Sequence, residues 1–185
     1  MLVPGRFVVP GVSLVRQSVP LGWALKALAF VPLQIRGVIT MAFTRSASTV
    51  WSGDLASGTG ETTFETSGIG TFPVTWRART EAAEGKTSPE ELIAAAHASC
   101  FSMALSNILK GAGHVAERLE TTAEVDFDTS DGAKISEIRL SLNATVPGLT
   151  EEEFQTHAQA AKVGCPVSAA LAAVPSITLD ARLSQ

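Results

Sequence analysis

From Arg45 onward, apolar and polar residues alternate in short runs bounded by Gly and Asp, the pattern of an antiparallel meander. Ala47 to Trp51 forms the first run and stops at Gly53-Asp54. Gly58 to Thr66 forms the second, rich in Thr and Phe. Phe72 to Thr80 forms the third, its alternation interrupted by Pro73. The period then changes. Ser88-Pro89-Glu90-Glu91 predicts a helix start, with Ser88 as N-cap, Pro89 at the first helical position and Glu91 completing a capping box. The helix should run to Lys110, where Gly111 and Gly113 stop it. Two further strands are expected at 119–128 and 134–146, joined by a turn at Ser130-Asp131-Gly132. In the second of them Ile135, Ile138, Leu140 and Leu142 are expected to lean to one face. Thr150-Glu151-Glu152-Glu153 opens a helix to about Lys162, again with a capping box. Gly164-Cys165-Pro166 breaks it and starts a short helix, Val167 to Ala173, before a last strand from Ile177 to Leu183. Strands, a long helix, strands, helices and a strand describe an α+β fold with antiparallel sheets and segregated helices.

The central helix holds 18 uncharged residues from Leu92 to Leu109, enough to span a bilayer by length. Eight of them are Ala or Ser, and His97 and Asn107 interrupt the run, so a buried core helix is the expectation and a membrane segment is not. Residues 1–40 differ in kind. They are apolar, they carry Arg6, Arg16, Lys26 and Arg36 with no acid, and four prolines divide them. Lys26 and Pro32 break the best apolar stretch, so it makes a poor secretory signal. The expected organisation is an extension or mis-assigned start over 1–40, a true start at Met41, and one domain over 41–185. The net charge of −4 changes when that division is made. Four of the 14 basic residues lie in 1–40, which leaves ten against 18 acids in the body, a net −8. Such a body lacks the basic stripe that phosphates require, so nucleic acid is excluded as a partner.

Two cysteines in 185 residues are too few for a disulfide scaffold, which leaves buried ballast or redox chemistry in a reducing cytoplasm. Cys100 lies three turns into the long helix, beyond the reach of the field at its N-terminus. Its thiol should be raised in pKa and inert unless a cation approaches. Arg77 and Arg79, placed on one face of the preceding strand, are two candidates. Glu90 could hold a guanidinium in place. Spacing alone favours the other reading, solvated arginines and a Glu90 that serves only the helix terminus. Cys165 falls at the cap of a short helix, where free N–H groups favour thiolate, although a small residue at a tight break is an alternative reading. His97, Cys100, Cys165 and His157 match no common zinc spacing. His97 is expected to be a core histidine with a local hydrogen bond.

The string from Ser88 through Cys100 to Leu105, SPEELIAAAHASCFSMAL, closely resembles the central-helix signature of the OsmC/Ohr family of hydroperoxide reductases. Gly164-Cys165-Pro166-Val167-Ser168 resembles the second cysteine motif of that family, and the likeness runs from about Arg45 to Leu183. The wording around Cys100 is closer to the OsmC branch. The resemblance implies an intertwined homodimer, built around the long helix, with two active sites at the subunit interface. It makes Cys100 the peroxidatic cysteine, Cys165 the resolving one, Glu90 the catalytic glutamate, and Arg79 the arginine with Arg77 as the alternative. It implies no cofactor or metal, a small hydroperoxide substrate, and a lipoyl-type dithiol or thioredoxin as reductant. Phe101 and Met103 are expected to wall the site. An apolar-ligand carrier or a redox sensor on the same fold are the competing classes.

Overall fold

The computed structural model describes residues 42–184, and the expectations for residues 1–40 and for Met41 lie outside them. From Phe43 onward the described residues form one compact unit. Strands β1 (Ser48–Ser52), β2 (Thr59–Thr63) and β3 (Thr71–Val74) make an antiparallel meander. Gly60 in β2 sits where a Cβ would run into Trp51 and Val74, so the close approach of these strands requires glycine.

The run expected to continue as a strand to Thr80 instead turns helical after Val74. Thr75 caps helix α1 (Trp76–Thr80) by accepting a hydrogen bond from the Ala78 N–H at 3.1 Å. A Thr cap after Pro73 overrides the alternating pattern, because a capped turn satisfies the backbone locally. Arg77 and Arg79 therefore do not share a strand face.

Helix α2 (Pro89–Gly111) begins and ends close to its expected bounds. Ser88 Oγ accepts from the Glu91 N–H, but the reciprocal half of the capping box is missing. The Glu91 carboxylate takes the Thr87 hydroxyl instead, at 2.7 Å. Only one face of α2 is buried: Glu90, His97, Phe101, Leu105 and Leu109. Ala95, Ala96, Ser99, Met103 and Ser106 are exposed in the single chain, which differs from the helix buried all round that its composition predicts. By length and composition α2 could cross a membrane, but its apolar face packs into the core described next.

Strands β4 (Arg118–Asp128) and β5 (Lys134–Thr145) form the expected hairpin in antiparallel register, from Arg118 opposite Thr145 to Asp128 opposite Lys134. Helices α3 (Glu151–Gly164) and α4 (Pro166–Ala170) follow, and Thr150 and Glu153 complete a true capping box on α3. Strand β6 (Ser176–Ser184) then pairs with β5 in parallel, so the second sheet, in the order β4-β5-β6, is mixed and not antiparallel. The cause is the long connection through α3 and α4, which carries the chain back to the other end of the sheet before it re-enters. The core lies between this sheet, α2 and α3. Phe101, Leu105 and Leu109 meet Leu140, Leu142 and Ala144 from β5 and Phe154, Ala158 and Ala161 from α3.

Candidate active site

Two chemically distinct clusters lie along α2. The first is at its N-terminal turn. Arg79, carried by α1, reaches Glu90 with Nε at 3.0 and 3.1 Å from the two carboxylate oxygens and Nη2 at 2.7 Å from Oε1. The Glu90 side chain is buried, and about a quarter of the Arg79 side chain is open to solvent. Aromatic rings complete the clamp. The guanidinium carbon stands 3.7 Å from the Phe127 ring centre and 5.8 Å from that of Trp76. The two rings pack edge to face at 6.0 Å. Such a clamp fixes a planar cation while leaving N–H groups unspent, and among the described residues Nη1 makes no hydrogen bond. Arg77 points elsewhere: it is exposed and pairs with Glu81 at 3.1 Å. A cavity of about 380 Å³ lies against Arg79, walled by Trp51, Leu55, Val74, Trp76 and Leu92 among others.

The second cluster is the dithiol. Both cysteines are free, Cys165 fully buried and Cys100 partly exposed. The break at Gly164-Cys165-Pro166 swings α4 back against α2, so that Cys100 packs against the core cluster that contains Cys165. Burial pushes the Cys100 thiol up, the Val167 N–H opposes this, and donation to Cys165 keeps the proton in place. Burial also acts to raise Cys165, but the Ser168 N–H, the Cys100 thiol, the Ser168 hydroxyl and the Val167 N–H outweigh it. The net direction for Cys165 is down. A cavity of about 480 Å³ opens over Cys100, lined by Met103, Ala104, Asn107, Ile108, Gly164 and Pro166. Met103 thus occupies a wall, as expected. Phe101 does not, since it points into the core.

Behind the dithiol lies a contact that sequence reading did not anticipate. His97 is fully buried, and its Nε2 is 2.8 Å from the hydroxyl of Ser168, 71 residues away, so its bond is not local. Burial alone pushes the imidazole down. His157 lies on α3, and among the described residues no three of His, Cys, Asp and Glu gather where they could hold a metal ion. Trp76, Phe127 and Ser168 were not singled out from sequence. Ser168 follows Cys165 by three residues as His97 precedes Cys100 by three, a symmetry that gains meaning only once α4 packs on α2.

The two clusters are not adjacent within one chain. Glu90 and Cys100 are ten residues apart on one helix, which at 1.5 Å per residue is about 15 Å. The cation expected to activate Cys100 sits at the far end of that span.

Against known proteins, a family profile described as OsmC-like protein matches residues 82–180. Peroxiredoxin OsmC of Escherichia coli K12 is 44% identical over 134 residues, covering 72% of this chain and 92% of that protein. Organic hydroperoxide resistance protein-like 2 of Staphylococcus saprophyticus is 34% identical over 88 residues, covering 46% of this chain and 61% of that one. Among solved structures, the OsmC-like protein of Mycoplasma pneumoniae superposes with a TM-score of 0.63 at 16% identity, covering 78% of this chain and 100% of that one. The organic hydroperoxide resistance protein OhrB of Bacillus subtilis gives 0.53 at 27% identity, covering 75% and 98%.

Proposed function

The chain belongs to the OsmC-like family, and from that premise we propose that it is a thiol-dependent peroxidase that reduces organic hydroperoxides through Cys100 and Cys165. The observation that carries this reading is the asymmetry of the dithiol. Cys100 packs against the core cluster that contains Cys165, but only Cys100 faces a surface cavity, while Cys165 has no exposed surface. A substrate can reach one sulfur, and the other is placed to intercept the product.

In the cycle, the Cys100 thiolate attacks the distal oxygen of the peroxide. The S–O bond forms as the O–O bond breaks, and the alkoxide leaves as alcohol after taking a proton. Cys100 becomes a sulfenic acid. The Cys165 sulfur then displaces its oxygen, which departs as water, and the disulfide forms. An external dithiol, lipoyl-type or thioredoxin, restores both thiols by exchange. No cofactor enters these steps. The cavity lined by Met103, Ala104 and Ile108 favours an alkyl hydroperoxide over hydrogen peroxide.

The cation that the first step needs comes from a second copy of the chain. Burial pushes the Cys100 thiol toward its protonated form, and Glu90, which holds Arg79, is about 15 Å from it along α2. Two α2 helices crossing antiparallel at the small residues Ala95, Ala96 and Ser99 would set Arg79 and Glu90 of the partner subunit beside Cys100. Those residues are exposed in the single chain, as is Met103 at 67%. The first sheet points the same way, with Val50, Trp51 and Phe72 exposed and little core of its own. A homodimer with two shared sites accounts for both. Free thiols of this kind suit the reducing bacterial cytoplasm.

The test is a thiol titration of reduced protein after one equivalent of cumene hydroperoxide, beside Cys100→Ser and Cys165→Ser. Wild type should lose both thiols as an intrachain disulfide, Cys165→Ser should stop at a trappable sulfenic acid, and Cys100→Ser should not react. Survival of both wild-type thiols in excess peroxide refutes the reading.

A further inference from the structure

Helix α4, which carries Cys165 at its N-cap, has few anchors of its own. It is five residues long, too short to persist without tertiary contacts, and Cys165 gives it no side-chain cap. Pro166, Ala169 and Ala170 are exposed, Val167 is half-buried, and the one buried residue is a serine. Ser168 Oγ lies 2.8 Å from His97 Nε2 on α2, and among the described residues this is the only hydrogen bond of its side chain. His97 has no solvent exposure, and its Nδ1 has no partner among the described residues. A neutral imidazole has one proton, which on Nδ1 would be a buried donor without an acceptor, so Nε2–H donates to the serine oxygen. An apolar pair would fill the same place and leave no nitrogen unsatisfied. What histidine and serine add is direction: apolar contact tolerates sliding, and a hydrogen bond of this length does not.

That bond stands one turn from each cysteine. Three residues on from His97 along α2 is Cys100, and three residues back from Ser168 along α4 is Cys165. Gly164 and Pro166, on either side of Cys165, line the same cavity as Cys100, and Cys100 packs against the core cluster that contains Cys165. We propose that the His97–Ser168 hydrogen bond is a latch that fixes α4 on α2 in the register that keeps Cys165 beside Cys100, so that disulfide formation outruns a second oxidation of Cys100. Both are positioning residues. The latch rests on the hydrogen bond and the packing; its role in the cycle rests on the peroxidase reading.

The latch acts on a competition for the Cys100 sulfenic acid. In one branch the Cys165 sulfur supplies the electron pair of the new S–S bond and the Cys100 S–O bond breaks. Hydroxide leaves with that bond's pair and takes the Cys165 thiol proton, so disulfide and water are the only products. In the other branch the sulfenic sulfur attacks a second hydroperoxide. An S–O bond forms as the O–O bond breaks, sulfinic acid and alcohol result, and Cys100 is lost from the cycle. The second branch depends on peroxide concentration, the first on how often Cys165 is in place. Releasing α4 spreads Cys165 over more positions, which lowers its effective concentration at Cys100 and leaves the first attack on peroxide unchanged.

The experiment has a peroxide-free arm and a peroxide arm. In the first, wild type, Ser168→Ala, Ser168→Thr, Ser168→Val and His97→Leu are equilibrated in glutathione redox buffers, and the fraction in the intrachain disulfide gives the effective concentration of the two thiols. Loss of one hydrogen bond should lower it about fivefold in Ser168→Ala and His97→Leu. Thr and Val differ only in hydroxyl against methyl, so recovery in Ser168→Thr and not in Ser168→Val assigns the effect to the bond. The double variant of Ser168→Ala and His97→Leu should be no worse than either alone, since both remove the same contact. In the second arm, cumene hydroperoxide should oxidise Cys100 at the wild-type rate in every variant, while the unlatched ones reach the sulfinic acid, read by mass, at about fivefold lower peroxide. Should His97→Leu fail to fold, the Ser168→Thr and Ser168→Val pair carries the comparison. Equal effective concentrations in wild type and all folded variants overturn the latch, as does a wild type that forms no intrachain disulfide in glutathione. If wild type forms that disulfide in glutathione but not with peroxide, the peroxidase reading fails, and the first arm alone decides the latch.

Discussion

The separation along α2 leads to a complementation experiment. Glu90 and Cys100 lie about 15 Å apart on a rigid helix, so an Arg79 held by Glu90 cannot reach the thiol of its own chain. In the proposed dimer each site takes Cys100 from one protomer and Arg79 from the other. Arg79→Gln and Cys100→Ser homodimers should both be inactive. When the two are unfolded together in equal amounts and refolded, random pairing makes half the dimers mixed. Each mixed dimer holds one site with both groups intact and one with neither. Turnover of cumene hydroperoxide with a dithiol reductant should therefore recover to about a quarter of wild type. Mixed dimers purified on two different affinity tags should reach about half. Arg79→Gln also leaves the Glu90 carboxylate underpaired, at a cost of about 2 kcal/mol once the partial exposure of the pair is allowed for, so melting curves must confirm that the parents are folded. If isolated mixed dimers are folded and no more active than their parents, the shared site is wrong.

Glu90→Gln keeps the size of the side chain but presents an amide to the Arg79 N–H groups. Losing one charge-assisted contact of about 2 kcal/mol should lower kcat/KM for peroxide about thirtyfold, and a change below threefold would remove Glu90 from the site. The buried His97 makes stability depend on pH in a stated direction. Its folded pKa is depressed, so on acidification the unfolded chain takes up a proton near pH 6.5 while the native chain does not. Stability is thus full above about pH 6.5 and falls as pH drops toward the lowered native value. Denaturant melts from pH 7.5 to about 5 should show this slope, and His97→Gln should flatten it; an unchanged slope means other groups govern the acid limb.

The helices were legible because their ends are marked by chemistry that acts locally. Ser88-Pro89 and Thr150 with Glu153 cap where the sequence says they should, and the Gly-Cys-Pro break separates α3 from α4. The β4–β5 hairpin was legible for the same reason, through Gly132 at φ +76° in its turn. Local signals mislead where a competing local signal is stronger, as when the Thr75 cap turned an apparent strand into α1. The parallel pairing of β6 could not be read at all, since register across a crossover is set by where α3 and α4 pack. The same limit applied at the site. Arg79 and Glu90 were singled out through the family resemblance and not by spacing, and Trp76 and Phe127 around them, and Ser168 behind the thiols, belong to the site through tertiary packing alone.

Why the chain should divide its chemistry in this way follows from what one helix can offer. The middle of α2 gives Cys100 a rigid mount and a dry wall, but it also gives a thiol that burial keeps protonated. An arginine buried beside it in the same chain would need its own counter-ion within the core, at a desolvation cost of several kcal/mol. Placing the ion pair at the helix N-terminus avoids that. Glu90 there is favoured by the helix dipole, Arg79 rests on aromatic faces near solvent, and each monomer folds without a charge in its core beside the thiols. In the proposed dimer the cation meets the sulfur where two helices cross. On this reading a lone monomer carries an unactivated thiol, and peroxidase activity should fall with dilution through the dimer dissociation constant rather than stay constant per chain.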